Sequence, residues 1–215
     1  MFSGGKDSLA ALMRLHDAPG WSVERLVTTF NETSQRTALH GTPLALLRRQ
    51  AAALDLSLTE IGLPEDCDNA TYLARVAHAL EPLRTGGLEH VAFGDLYLSD
   101  IRKFREAQMR ALAMTPLFPL WQADTTELAD EMIGVGVKAR LCCVDLQVLS
   151  ADLLGRLWDH ALLAQLPEGV DPCGENGEFH TLVVDAPVMQ HSLEVVAGDT
   201  HVSHDRFCML DFQPA

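Results

Sequence analysis

At 215 residues and 47% hydrophobic composition, the chain can bury a sizeable core as one large domain or a small pair. Its 16 Lys plus Arg stand against 30 Asp plus Glu, a formal charge of −14, which argues against nucleic acid as the main partner while leaving room for a local anion site of backbone N–H groups. No apolar run approaches the roughly 18 to 20 residues of a membrane span, no charged-then-apolar leader precedes the first motif, and five cysteines without CxxC spacing indicate neither a disulfide framework nor a zinc knuckle, so a reduced cytoplasm is the expected home.

Helical spacing at Leu9, Leu12, Met13 and Leu15 follows the opening loop and breaks at Pro19-Gly20. Val23 to Phe30 reads as a buried strand. Thr42 as N-cap and Pro43 as first helical residue open a predicted helix through Leu44, Leu47, Gln50 and Leu54. A strand at Leu56 to Leu63 follows, then a helix from about Asn69 to Leu83, then a strand at Val91 to Phe93 that stops at Gly94-Asp95. Ser99 is placed to cap a helix through Ile101, Phe104, Met109 and Leu112, with Pro116 and Pro119 breaking the pattern beyond it. Strand and helix thus alternate to about residue 113, the pattern of a parallel sheet covered by helices on both faces. Further on, the spacing predicts a helix at Thr125 to Val135, a strand at Val137 to Val144, a helix at Ala151 to Leu166, and strands at Leu182 to Val184, Leu193 to Val196 and Phe207 to Phe212.

Two loops carry the chemistry. Ser3-Gly4-Gly5-Lys6-Asp7-Ser8 runs straight into the first helix, so backbone N–H groups and the helix dipole converge on one anion site. The glycines admit a phosphate, Lys6 adds a point charge, and Ser3 and Ser8 add hydroxyl donors; Asp7 either caps the helix or holds Mg²⁺ bridging phosphates. The loop is not a Walker A sequence, since Asp7 follows Lys6 where Ser or Thr is required. The second loop, Asp171-Pro172-Cys173-Gly174-Glu175-Asn176-Gly177-Glu178-Phe179-His180-Thr181, read by itself, is a solvated acidic turn.

The first hexapeptide resembles the PP-loop of the ATP pyrophosphatases. The pair of loops resembles the diphthine-ammonia ligase family within them, with His40-Gly41, Gly94-Asp95 and Pro119-Leu120-Trp121 as further points of likeness over about residues 2 to 189. The resemblance implies a Rossmann-like (HUP-type) parallel sheet with helices on both faces over residues 1–117, and a smaller C-terminal α+β substrate subdomain over 118–215. It implies ATP-dependent adenylation of a carboxylate with release of pyrophosphate, then displacement of AMP by ammonia. Expected cofactors are ATP and Mg²⁺, the metal at Asp7. Expected nucleotide contacts are Ser3, Gly4, Gly5, Lys6, Asp7 and Ser8 for phosphates, Thr28, Thr29 and Phe30 for the adenine side, and Gly94. Lys6, Asp7, Asp95, Glu175 and Glu178 are the expected catalytic set, with the two glutamates positioning ammonia, binding Mg²⁺ or meeting a cationic substrate. Partners are ATP, ammonia and a carboxylate-bearing substrate, a protein side chain among the candidates, with a homodimer open.

A tRNA-thiolating PP-loop enzyme and a non-catalytic ATP-binding module are the competing readings; the acidic charge and absent CxxC pairs speak against the first. Arg102, Lys103 and Arg105 either face an anionic ligand or form a solvated helical face. His201 and His204 in a polar turn are expected to ligate nothing, and Cys173 to pack. Only Met1 and Phe2 precede the first loop, where a strand of about five or six residues is expected. A short apolar stretch upstream of Met1 is therefore the expectation.

Overall fold

The computed structural model describes residues 1–37 and 41–215; His40 lies outside the described residues. The N-terminal half alternates helix and parallel strand: α1 (Lys6–Asp17), β1 (Arg25–Asn31), α2 (Leu44–Ala53), β2 (Ser57–Leu63), α3 (Asn69–Thr85), β3 (His90–Ala92), α4 (Ser99–Ala111) and β4 (Thr115–Leu117). β1 pairs with β2 in parallel from Arg25↔Ser57 to Asn31↔Leu63, and β3 with β4 from His90↔Thr115 to Ala92↔Leu117. Residues 1–2 lie between the two pairs: the Phe2 N–H donates to Val27 O at 2.7 Å and the Met1 amine to Ala92 O. Each inner strand edge thus receives one hydrogen bond from this short segment, and a cavity of about 440 Å³ continues along it between Val23–Val27 and Leu88–Ala92.

The C-terminal half holds α5 (Thr125–Gly134), β5 (Lys138–Asp145), a 3₁₀ turn at Ala151–Leu153, α6 (His160–Leu163), β6 (Phe179–Asp185), β7 (Val195–Ser203) and β8 (Phe207–Pro214). Its four strands form an antiparallel sheet in the order β6-β5-β8-β7. The architecture is therefore a parallel, helix-covered layer followed by a separate antiparallel subdomain. The two halves share one core. Leu9, Ala10 and Ala11 of α1 pack with Leu128, Met132, Leu141, Trp158 and Phe179, all buried. Burying each large side chain contributes about 1.5–3 kcal/mol, so the first loop's helix is fixed as much by the C-terminal half as by its own sheet.

Several local expectations are corrected. Residues 151–166 do not form one helix: Leu157 bridges Arg140 and the Trp158 N–H donates to Ala139 O at 2.7 Å, so the chain runs beside β5 between the two short turns. Pairing with the sheet satisfies backbone groups that the helix would otherwise have satisfied internally. Pro43 is the N-cap of α2 and Leu44 its first residue, leaving Thr42 buried outside the helix. Leu98 rather than Ser99 caps α4. Thr115–Leu117 is a strand despite Pro116, which the outer position of β4 permits because an edge residue can lack an N–H.

Candidate functional site

The first loop forms as the sequence suggests, at the start of α1, but its support comes from afar. Gly5 is the N-cap without a side-chain cap, so Asp7 does not cap the helix. Gly4 takes a left-handed φ of 81°, and a Cβ there would lie 2.6 Å from Gln50 Oε1 and 2.7 Å from Leu47 Cδ2. Only glycine meets both demands. The Gln50 amide, buried on α2, donates to Gly4 O at 2.9 Å and to Val183 O at 2.7 Å, pinning the loop to β6. The Lys6 N–H donates to Thr181 Oγ1 at 3.1 Å, and Ser8 Oγ donates to Gly5 O at 2.9 Å. The first-turn N–H groups of Asp7 and Ser8 have no i−4 partner within the helix and suit an anion.

The acidic loop folds around Glu178. Its Oε1 accepts from the Asp171 N–H at 3.1 Å and Asn176 Nδ2 at 2.9 Å, and its Oε2 from the Asn176 N–H at 2.9 Å. Asp171 Oδ1 in turn accepts from the Cys173 N–H at 2.7 Å, and its Oδ2 from Thr125 Oγ1 at the same distance. Glu178 is thus the loop's internal anchor. Cys173 is buried and donates to Thr125 O; burial pushes its thiol up to about 12, so it packs as expected and is no nucleophile.

Both loops line one cavity of about 1110 Å³, with Ser3, Lys6, Asp7 and Ser8 on one wall and Cys173, Gly174, Glu175 and Asn176 on another. Thr28 and Thr29 at the end of β1, Gly94 and Asp95 after β3, and Tyr72, Leu98, Ile101 and Phe104 complete it. This is the carboxyl end of the parallel strands, where ligands bind in such sheets. Phe30 instead packs into the cluster around Leu44 and Leu47 and is not among the residues that line the cavity. Gly94 permits close approach: a Cβ there would sit 2.8 Å from Asp7 O.

Lys6 is buried, ion-paired to Asp7 Oδ1 at 2.6 Å, with Nζ 5.7 Å from the Trp158 ring centroid and 5.8 Å from that of Phe179. Burial opposes its charge, but Asp7, Cys173 and Glu175 outweigh burial and hold it above the ordinary lysine range. Its ammonium therefore lies between the two loops. Glu175 is pushed up to about 8 by burial, with Asp7 adding and Lys6 opposing. His180 is lowered to about 4, first by burial and then by Lys6. Asp95 is also raised by burial, against the pull of Arg105. Tyr97 Oη donates to Asn176 Oδ1 at 3.1 Å, joining the β3–α4 connection to the acidic loop.

Among the described residues no group of three His, Cys, Asp or Glu is arranged to hold a metal. Mg²⁺ needs only one or two carboxylates when phosphates complete its shell, so Asp7 on the cavity wall fits that requirement. The supporting roles of Gln50, Thr181, Tyr97 and Trp158 escaped the sequence reading; the single available signal was a glutamine set among the apolar positions of α2.

Family models of known proteins match both halves. One described as diphthamide synthase N-terminal domain matches residues 1–116, and one described as diphthamide synthase C-terminal domain matches residues 124–211. Diphthine–ammonia ligase of Danio rerio is 28% identical over 239 residues, covering 99% of this chain and 91% of its own length. The enzymes of that name from Rattus norvegicus and Homo sapiens are 32% identical over 127 residues, covering 56% of this chain; the matched part is about half of their own length, at 47%.

Proposed function

We infer from membership of the diphthamide synthase family, to which this chain belongs, that it is an ATP-dependent, amide-forming ligase akin to diphthine–ammonia ligase. The observation that carries the reading is the single cavity in which the anion-binding loop meets the acidic loop, with Lys6 between them. The division near residue 117 gives each half a role: residues 1–117 bind ATP, and 118–215 supply the acceptor side.

The first-turn N–H groups, Ser3, Ser8 and the backbone around Gly4 and Gly5 hold the β- and γ-phosphates as the departing pyrophosphate. Asp7 would hold Mg²⁺, which offsets phosphate charge when bound. Thr28 and Thr29 face the adenine, and Gly94 lets the nucleotide approach α1. A carboxylate oxygen of the substrate attacks the α-phosphorus, the bond to the bridging oxygen breaks, and pyrophosphate leaves. The ammonia lone pair then attacks the acyl carbon, AMP leaves with the C–O electron pair, and the nitrogen gives up one proton. An acid group held near neutrality, Glu175, is matched to accepting a proton from ammonium before that attack. Glu175, once it has lost its proton, and Asp95 beside it suit an ammonium on the acceptor side. Glu178 positions the loop that carries Glu175. Cys142, Cys143 and Cys173, buried with thiols raised by burial, do not favour the thiolation reading, which leaves the partly buried Cys67 as the cavity thiol it would have to use.

The test is incubation with ATP, Mg²⁺, ¹⁵N-ammonium and a panel of carboxylates, following AMP, pyrophosphate and ¹⁵N in product. AMP with pyrophosphate and labelled amide supports the reading. ADP with orthophosphate would overturn it.

A further inference from the structure

Three cations at the start of α4 have different surroundings. Lys103 is exposed, with Asp100 at 3.4 Å. Arg102 lies over the Trp121 and Phe118 rings, at 4.5 and 4.8 Å from their centroids, and pairs with Glu106 at 2.8 Å. Arg105 turns inward. Its guanidinium sits 5.0 Å from the Phe93 ring centroid and 5.9 Å from that of Phe104, and Nη1 donates to Tyr72 Oη at 2.8 Å.

The inward arginine is incompletely satisfied. Its Nε is buried without a hydrogen-bond partner, and so is Asp95 Oδ2, 4.0 Å away. An open donor on a half-buried cation is costly, so this arrangement is stable only with something to complete it or with that cost borne by the fold. Asp95 and Arg105 both line the large cavity, and Gly94 beside Asp95 touches the main chain of Asp7 and Ser8. The other lysine or arginine lining that cavity, Lys6, is already bound to Asp7 at 2.6 Å. Arg105, ion-paired only loosely, to Asp95 at 4.0 Å, is the less committed of the two, on a guanidinium fork whose geometry matches an oxyanion. Two aromatic rings and a tyrosine hydroxyl fix its plane before any ligand arrives, which lowers the ordering cost of binding.

We propose that Arg105 is the anchor for a carboxylate of the acyl substrate, held by Tyr72, Phe93 and Phe104 so that its guanidinium meets the ligand oxygen beside the nucleotide. The choice of a carboxylate as ligand rests on the ligase reading; the oxyanion position itself does not. A phosphate oxygen of ATP shares the chemistry and is the alternative source.

Arginine side-chain ¹⁵N–¹H spectra test this, with the Arg105 Nε–H signal assigned by its loss in Arg105→Lys. Acetate is titrated into wild type with and without a saturating non-hydrolysable ATP analogue and Mg²⁺. The expected result is a saturable shift of the Arg105 signal under both conditions. Arg105→Lys and Tyr72→Phe should weaken acetate at least tenfold and severalfold, read on neighbouring backbone amides, with analogue affinity within twofold of wild type. Absence of a saturable shift overturns the proposal, as does analogue alone moving the signal and abolishing the acetate response, which would make Arg105 a phosphate ligand. The readout is binding, not turnover. Acetate seated at Arg105 in a protein that forms no amide would sink the ligase reading and leave the anchor standing, whereas amide formation with Arg105 silent does the reverse.

Discussion

The backbone N–H of Lys6 donates to the hydroxyl of Thr181 at 3.1 Å, across 175 positions of sequence. This bond ties the first turn of α1 to the strand that leaves the acidic loop, so the two halves of the proposed site are held in one frame.

Thr181→Val removes that acceptor while keeping shape, leaving a buried N–H unpaired. A loss of about 1–3 kcal/mol in chemical denaturation is expected. Amide formation should fall more than the loss of stability explains when assayed well below the melting temperature, because the loops lose their relative placement. Wild-type kcat in a measurably destabilised variant would show that the tie is structural alone.

Lys6→Ala and Asp7→Ala each remove one partner of a buried ion pair. Asp7 lies at the cavity wall and its loss should weaken Mg²⁺-dependent ATP handling, about tenfold or more in kcat/KM, and lower the melting temperature by leaving the buried Lys6 ammonium unpaired. Lys6 is buried between Asp7 and two rings, so its truncation should lower stability as well as turnover. Isothermal calorimetry with ATP and Mg²⁺, set beside thermal melts, separates the two. Unchanged nucleotide affinity and turnover in both variants would remove the phosphate-loop assignment.

Glu175 links stability to pH. Its folded value of about 8 lies above its ordinary 4.5, so between those limits the folded protein keeps a proton that the unfolded chain has lost. Stability from this group is complete below about 4.5 and is lost as pH rises towards 8. Glu175→Gln cannot lose a proton. In nucleotide- and metal-free protein its unfolding free energy should exceed wild type by a margin that grows from pH 5 to pH 8, on the order of 4 kcal/mol at the upper end. Amide formation should fall in the same variant. A margin that does not change with pH would refute the buried acid.

Glu178→Gln should act through the loop. Three N–H donors converge on its two oxygens, and either orientation of an amide sets an NH₂ against a donor. The expected result is a loss of about 1–3 kcal/mol and lowered amide formation, with ATP affinity near wild type. Hydrogen exchange at Asn176 should quicken in the variant; protection equal to wild type would mean the carboxylate does not hold the loop.

Short-range pattern determined much of this molecule. The glycine-rich hexapeptide at a helix start, the apolar spacing of α1 to α5 and the strands β1, β2, β5, β6 and β8 were all legible, because helical periodicity and β-propensity act over a few residues, whereas the caps expected at Thr42 and Ser99 did not form. Residues 151–166 show where that logic stops: their apolar spacing fits a helix, yet Leu157 and Trp158 pair with β5. Thr115–Leu117 was hidden by its proline, whose tolerance depends on an edge position that only the assembled sheet defines.

The two site loops were visible in the sequence, and their chemistry with them, since glycine, lysine and carboxylate content is written residue by residue. What tertiary structure alone decided is which side chain does which task. Glu178 turned inward to hold its loop while Glu175 faced the cavity, and Arg105 turned in while Lys103, two positions earlier on the same helix, stayed in water. Gln50 and Thr181 became supports of a loop 46 and 175 positions away. Such roles depend on burial and on partners brought together by packing, and free energies of burial and pairing depend on neighbours in space rather than in sequence.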